Sequence, residues 1–268
     1  MNSIAVFNAG SSSLKVAFYA DGTGDEPLFK GHVEQIGTTP RMIVRNAAGE
    51  TLVEREWSAS ELDHGAAAMA ILEIAPDLLG GRTLAGVGHR VVHGGARHAT
   101  PMLISERIVA ELDELRDHAP LHNGPALEVI AAARDTFPDL PQVACFDTAF
   151  HQTQPQIARL FPLPKALTDA GVKRYGFHGL SYEYVALQMK EMQALKGKRR
   201  VIVAHLGNGA SLCALLDGRS IASTMGFTAL DGLMMGTRSG TIDPGVLLHL
   251  MDEKGMSSAE ITRLLYQE

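Results

Sequence analysis

Only two of the 268 residues are cysteines, Cys145 and Cys213, and both lie inside apolar runs. Buried free thiols in a reducing, cytoplasmic setting are the reading that fits. An excess of positive charge is also lacking, since the formal net charge is −6. Nothing in that balance favours nucleic acid or an anionic membrane as a partner, although an acidic whole can hold a basic pocket. No apolar stretch approaches membrane-spanning length, and the run from Ala66 to Ala75 is interrupted by Glu73. The N-terminus has no basic segment, and its apolar run is cut at Asn8, so it does not read as a signal peptide. What remains is ordinary globular chemistry, 46% hydrophobic and 20% charged, in a chain long enough for two domains.

The most informative stretch is Ile4 to Tyr19, I-A-V-F-N-A-G-S-S-S-L-K-V-A-F-Y. Ile4 to Phe7 and Val16 to Tyr19 read as buried strands flanking a turn of small residues. Gly10 permits a tight turn and a close approach by a ligand. Ser11, Ser12 and Ser13, with the backbone N–H groups around them, can ring an anion, and Lys15 adds a positive charge. An ordinary polar hairpin is the alternative. A second stretch, Val201 to Gly218, repeats the pattern loosely: apolar strand, His205 in place of Asn8, a glycine turn, Ser-Leu, a second strand and Asp-Gly. Asp217-Gly218 answers Asp21-Gly22. The repeat suggests two related lobes, each with a phosphate turn, able to grip one nucleotide triphosphate from two sides.

Along the chain, Gly31 to Val44 and Thr51 to Trp57 read as strands, with turns at 38–40 and 48–50. Glu61 to Ala75 reads as a helix, and Leu84 to Val92 as a strand opening into Gly94-Gly95. Ser105 to His118 reads as a helix capped by Ser105, with Ile108, Leu112 and Leu115 as its apolar stripe. Pro125 is placed where a further helix can begin. Gln142 to Phe146 reads as a buried strand ending at Asp147, after which the first lobe closes near residue 150. Gln152 to Pro164 reads as a crossing segment, Ser181 to Lys196 as a helix, and Lys196 to Arg200 as a solvated turn. Gly232 to Gly245 reads as a glycine-rich loop, followed by a helix from Pro244 or Gly245 and another over Ser257 to Gln267.

Several short motifs carry chemistry. Gly88-His-Arg-Val-Val-His-Gly-Gly95 sets Arg90 at a strand end, suited to a bidentate grip on a carboxylate or phosphate; a surface ion pair is the plainer alternative. His89 and His93 read as sharing a strand face, which would allow a zinc pair, but no third ligand is near in sequence. His122 and Asn123 either cap a helix or present donors to an anion at its start. Asp147 lies at a strand end, where ligand chemistry collects in open α/β sheets, or caps the following turn. His178 in Arg174-Tyr-Gly-Phe-His-Gly179 reads alone as structural more readily than catalytic. Arg238 occupies a glycine-walled loop. Two loop arginines, two phosphate turns, a strand-end aspartate and loop histidines together point to phosphoryl transfer, where positioning and charge neutralisation do most of the work.

In this order N-A-G-S-S-S-L-K, G-H-R-V-V-H-G-G, F-D-T-A-F-H, R-Y-G-F-H-G, H-L-G-N-G-A-S and M-G-T-R-S-G resemble the acetate kinase family, from residue 4 to about residue 268. The resemblance implies an α/β fold of two duplicated ribonuclease-H-like, actin-like lobes, with mixed sheets flanked by helices. Residues 1–150 would form the lobe on the substrate and magnesium side, and 151–268 the start of a nucleotide-binding lobe. It implies ATP-dependent phosphorylation of acetate to acetyl phosphate, with ATP/ADP as co-substrate, Mg²⁺ or Mn²⁺, and a homodimer. By motif, Asn8 helps hold the Mg²⁺. Lys15, Ser11 and Ser12 lie near the ATP phosphates, and His205, Leu206, Gly207, Asn208 and Gly209 line them. Arg90 binds the carboxylate. Asp147 matches the residue usually called the active-site acid; because an ionised acetate needs no general base, it is expected to act through Mg²⁺ or its water, or by orienting an arginine. His178 and Arg238 stabilise the transition state, and His122 lies near the moving phosphoryl. Val92, Leu121 and Phe177 form the methyl pocket. Ala229 stands where the family's pattern has proline, so a roomier pocket could admit propionate. Family members also continue past this chain's last residue, which leaves the second lobe incomplete by comparison. The alternatives are a propionate or short-chain fatty acid kinase, or an inactive fragment that binds anions or dimerises.

Overall fold

A computed structural model describes residues 1–22, 26–58, 61–115 and 120–267, and of residues 120–122 and 194 the backbone alone. The chain divides into two compact units, one of residues 1–94 and 100–146, the other of residues 95–99 and 147–268.

The first unit is built on one mixed sheet. Its strands are β1 (Asn2–Ala9), β2 (Leu14–Ala20), β3 (Phe29–Glu34), β4 (Arg41–Asn46), β5 (Thr51–Glu56), β6 (Thr83–Val91), β7 (Met102–Leu103) and β8 (Gln142–Phe146), in the order β5-β4-β3-β2-β1-β6-β8-β7. β1 pairs antiparallel with β2 and parallel with β6, and β6 runs parallel to β8. The sheet buries one face. Ala5, Phe7 and Ala9 of β1, and Leu14, Val16 and Phe18 of β2, point into the core, as the period of two requires. The other face is open: Ile4 and Val6 are each 40% exposed. The continuous apolar run at the N-terminus is therefore a half-buried strand, not a fully buried one. Cys145 is likewise only half-buried, because it lies on that second face of β8.

Helices α1 (His64–Leu79) and α3 (Pro120–Thr136) pack together and cover the buried face, with α2 (Glu106–Asp113) against α3. Asp63 caps α1 by accepting from the Ala66 N–H at 2.7 Å, and Gly80 ends it in a left-handed conformation with φ 58°. Ser105 caps α2 as its sequence requires, through the Ile108 N–H. That helix is shorter than its pattern predicts, and residues 116–118 lie outside the described set. α3 is already helical at Pro120, five residues before Pro125. Pro125 therefore lies inside the helix, where its missing N–H forfeits one ladder bond.

In the second unit, β9 (Arg200–Leu206), β10 (Ala210–Leu216) and β11 (Arg219–Ser223) form an antiparallel meander. Asp217 and Gly218 turn β10 into β11 with φ 51° and 77°, the left-handed pair a tight hairpin needs. This repeats the order β1-β2-β3, so the duplication read in the sequence is present. β9, the counterpart of β1, has no parallel neighbour among the described residues, and Ile202 and Leu206 on it are 73% exposed. Helix α6 (Gly179–Met189) lays Tyr182 and Ala186 on Cys213 and Leu215 of β10. It begins two residues before the expected Ser181 and ends well short of Lys196, where a single 3-10 turn follows. The segment expected to cross between lobes holds a 3-10 turn at Ala149–Thr153 and the short helix α4 (Gln156–Arg159), with α5 (Lys165–Asp169) just beyond. α7 (Pro244–Asp252) and α8 (Ser258–Gln267) end the chain's described part.

Candidate active site

In the first unit, strand register sets the polar residues in a row. Lys15 lies opposite Asn8, Asn8 is level with Arg90, and His32 is opposite Lys15. All four belong to the open face. The Arg90 Nη1 donates to Asn8 Oδ1 at 2.9 Å, a contact across 82 residues that parallel pairing of β1 and β6 creates. Burial, then the charge of Lys15, pulls the His32 imidazole below its ordinary pKa. An open cavity of about 910 Å³ runs over this face, lined by Val6, Asn8, Lys15, His32 and Ile43 among others.

The serine turn is pinned from behind. The Gly10 N–H donates to Ser13 O at 2.8 Å, and the Ile36 N–H to Ser12 O at 3.0 Å. His64 Nε2, at the start of α1, donates to the Gly10 carbonyl at 2.8 Å. Ser11 and Ser12 remain exposed, so their hydroxyls are available to a ligand. The loop after Arg90 is held by Asn123, which accepts from the His93 N–H and donates to the His93 carbonyl, both at 3.1 Å. Asn123 is fully buried and thus serves the loop, not an incoming anion. Val92 is buried beside it in sequence. His93 lies past the end of β6, so it does not share a strand face with His89. The side chains of Leu121 and His122 lie outside the described residues.

In the second unit, five sequence-predicted residues come together. His178 is the N-cap of α6 and holds the left-handed conformation, φ 59° and ψ 20°, which costs a non-glycine residue on the order of 1 kcal/mol. The carboxylate of Asp147, itself buried, accepts from the His178 N–H at 3.2 Å. Gly179 must be glycine: a Cβ there would stand 1.8 Å from the Asp147 carbonyl oxygen. The His178 ring stacks on His205, with centroids 4.1 Å apart, and His205 Nδ1 bonds Ser181 Oγ at 2.9 Å. A Cβ at Gly209 would lie 3.3 Å from His178 Nε2 and 3.7 Å from Arg238 Nη1. The bare glycine thus leaves a space on which an imidazole nitrogen and a guanidinium converge.

The glycine loops hold this geometry. The Gly236 N–H donates to the Asn208 carbonyl at 3.0 Å, and the Met235 N–H to the Arg238 carbonyl at 3.0 Å. Arg238 Nη1 donates to the Ala229 carbonyl at 3.1 Å, so Ala229 acts on the arginine through its backbone. Burial lowers the Arg238 pKa from its ordinary value, opposed by Tyr266. Leu206, Gly207 and Asn208 are exposed, and the Gly207 N–H closes onto the Gly209 carbonyl at 3.1 Å. Phe177 is fully buried, and its carbonyl accepts from His151 Nε2 at 2.9 Å. His151 Nδ1 then accepts from Ser220 Oγ at 2.9 Å. His151, Ser220, Ser211 and Tyr182 support the loop, and sequence reading assigns none of them a role. The His151 partners lie 26 and 69 residues away, beyond any local motif.

These features define a class: an α/β protein with a repeated strand-turn-strand unit and donors gathered at a glycine turn. Residues 3–268 match the Acetokinase family. The chain is 49% identical to an acetate kinase of Nitrobacter hamburgensis, across 100% of this chain and 67% of the relative. It is 46% identical to an acetate kinase of Methylocella silvestris, across 99% and 68% respectively. A propionate kinase structure from Francisella tularensis superposes with a TM-score of 0.91 at 37% identity, covering 100% of this chain and 68% of that one. The chain belongs to the acetokinase family.

Proposed function

We propose that this protein transfers the γ-phosphoryl group of ATP reversibly to acetate, forming acetyl phosphate and ADP. The observation that carries the reading is the convergence of His178 Nε2 and Arg238 Nη1 on the open Cα of Gly209. A phosphoryl group in flight is anionic, and donors preplaced around it stabilise the transition state without reorganising. Acetate is already ionised near neutral pH, by analogy with carboxyl side chains, so its oxygen needs no general base. It needs two negative reactants to be brought together. In this reading Arg90 serves the carboxylate, Val92 and Phe177 are each assigned to the methyl group, and Lys15, Ser11 and Ser12 to phosphate oxygens. His205 to Gly209 receive the nucleotide phosphates. Asp147 fixes the backbone that carries His178, consistent with the amide it accepts from.

Mg²⁺ suits this arrangement, since it takes most of its ligands from phosphate and water and needs few from protein. Asn8 Oδ1 has one lone pair engaged by Arg90 and a second to offer. The ion, when bound, neutralises phosphate charge. We further propose a cytoplasmic homodimer; a sedimentation mass equal to the monomer would remove that part.

The test is a hydroxamate assay of acyl phosphate formation on the whole chain. Arg238→Ala is expected to lower kcat by about a hundredfold to a thousandfold, with circular dichroism unchanged. Near-normal turnover in that variant refutes the reading. Propionate is the second substrate to try, on the strength of Ala229 and the likeness to a propionate kinase structure. One methylene changes discrimination by only about 1–3 kcal/mol, so kcat/KM for the two acids is expected to differ by no more than about two hundredfold.

A further inference from the structure

Only one nitrogen of the His178 ring faces Gly209, and what it offers an anion is decided at the other. Nδ1 lies 2.8 Å from Ser211 Oγ. The same Oγ is hydrogen-bonded to the Tyr182 hydroxyl. Ser211 and Tyr182 are both fully buried, on β10 and α6.

Proton counting settles the direction of these two bonds. A serine hydroxyl has one proton, and so does a phenol. A buried donor left without an acceptor costs about 1–3 kcal/mol, so each proton has a destination. Tyr182 keeps its proton at any physiological pH, because burial pushes its phenol up to about 12. Ser211 Oγ is the acceptor within reach of that phenol. With the tyrosine proton directed at Ser211, the serine oxygen accepts there and turns its own proton toward His178 Nδ1. Nδ1 then accepts, and the ring proton of neutral His178 must sit on Nε2. A proton on Nδ1 would leave Nε2 unprotonated and would strand one buried proton: the tyrosine's if the order is reversed, or the serine's own if Oγ accepts from both neighbours.

We infer that Tyr182 and Ser211 are positioning residues that hold neutral His178 in the Nε2–H tautomer, so that Nε2 donates toward the space over Gly209. The inference rests on the reading of His178 as a group that meets the transferred phosphoryl. It extends that reading to two residues that touch neither substrate nor nucleotide. Gly209 completes the device, because a side chain there would place its Cβ 3.3 Å from Nε2.

The test uses the full chain labelled with ¹⁵N-histidine. Long-range ¹H–¹⁵N correlation reads the protonation of each ring nitrogen, with the His178 signals assigned by their loss in His178→Gln. The expected result in the unsubstituted protein is a protonated Nε2 and a bare, hydrogen-bonded Nδ1. In Tyr182→Phe and Ser211→Ala the Nδ1-protonated fraction is expected to rise, with kcat lowered about tenfold and KM for acetate held. A proton on Nδ1 in the unsubstituted protein overturns the inference, and this measurement needs no variant that must fold. Unchanged ring populations in both variants overturn it too. If the tautomer is as expected but His178→Ala turns over normally, the relay stands and the phosphoryl-transfer role of His178 falls.

Discussion

Gly209 has a φ that any residue can adopt, so its value lies in the space it leaves rather than in its backbone. Gly209→Ala would place a methyl group 3.3 Å from His178 Nε2, tight but survivable, since a side-chain end can yield. The fold is expected to persist while ATP binding weakens by about tenfold to a hundredfold, the loss of one hydrogen bond to a charged group; titration calorimetry reads it. His89 makes a different point. It is buried against Phe7, bonded to Gln142 Oε1 at 2.8 Å, and burial pulls its imidazole from 6.5 down to about 4. Between those values the unfolded chain binds the proton and the folded chain does not, so stability rises with pH across that window. Its contribution is complete above pH 6.5 and falls by roughly 3 kcal/mol on acidification through the folded value. His89→Leu is expected to flatten the urea-derived stability curve between pH 6.5 and 4. A variant as acid-sensitive as the parent would contradict this. His89 was not legible as it acts. His89 reads as a metal candidate because nearby sequence shows a second histidine, whereas Gln142, 53 residues on, reveals its real partner.

At the scale of elements, the two hairpins were readable because their signals are local: alternating apolar residues, a small-residue turn, Asp-Gly. The start of α6 was not. A helix that begins on a left-handed histidine has no cap residue of the usual type, and Ser181 imitates one two positions late. The true start is fixed by Asp147, which takes the His178 amide, and by the Asp147 carbonyl pressed on Gly179. In an ordinary helix interior, glycine to alanine gains about 1 kcal/mol. Here Gly179→Ala is expected to lose more than about 2 kcal/mol, because backbone stands in the way, and thermal melting measures the sign directly. A stabilised variant would mean that the contact between strand end and helix start yields freely. Pro125 reads as a helix start because proline suits that position, yet it lies inside α3, a difference that the local sequence does not show.

Across the whole chain, duplication was the easiest property to read and completeness of pairing the hardest. β1 is flanked on both sides and β9 on one among the described residues, a difference no strand pattern encodes. Ile202 and Leu206, each 73% exposed, give β9 an apolar edge of the kind natural proteins usually blunt with charge. Ile202→Lys is therefore expected to reduce binding of an apolar dye such as ANS and to raise solubility; equal dye fluorescence in variant and parent would count against it. The division into units has its own consequence. The polypeptide passes from one unit to the other after residues 94, 99 and 146. A ribosome delivers residues 95–99 before residue 147 exists, and at about 5–20 residues per second that short piece waits seconds for the remainder of its unit. Nascent-chain folding is thus not strictly first unit, then second: the earlier one finishes with five residues still uncommitted.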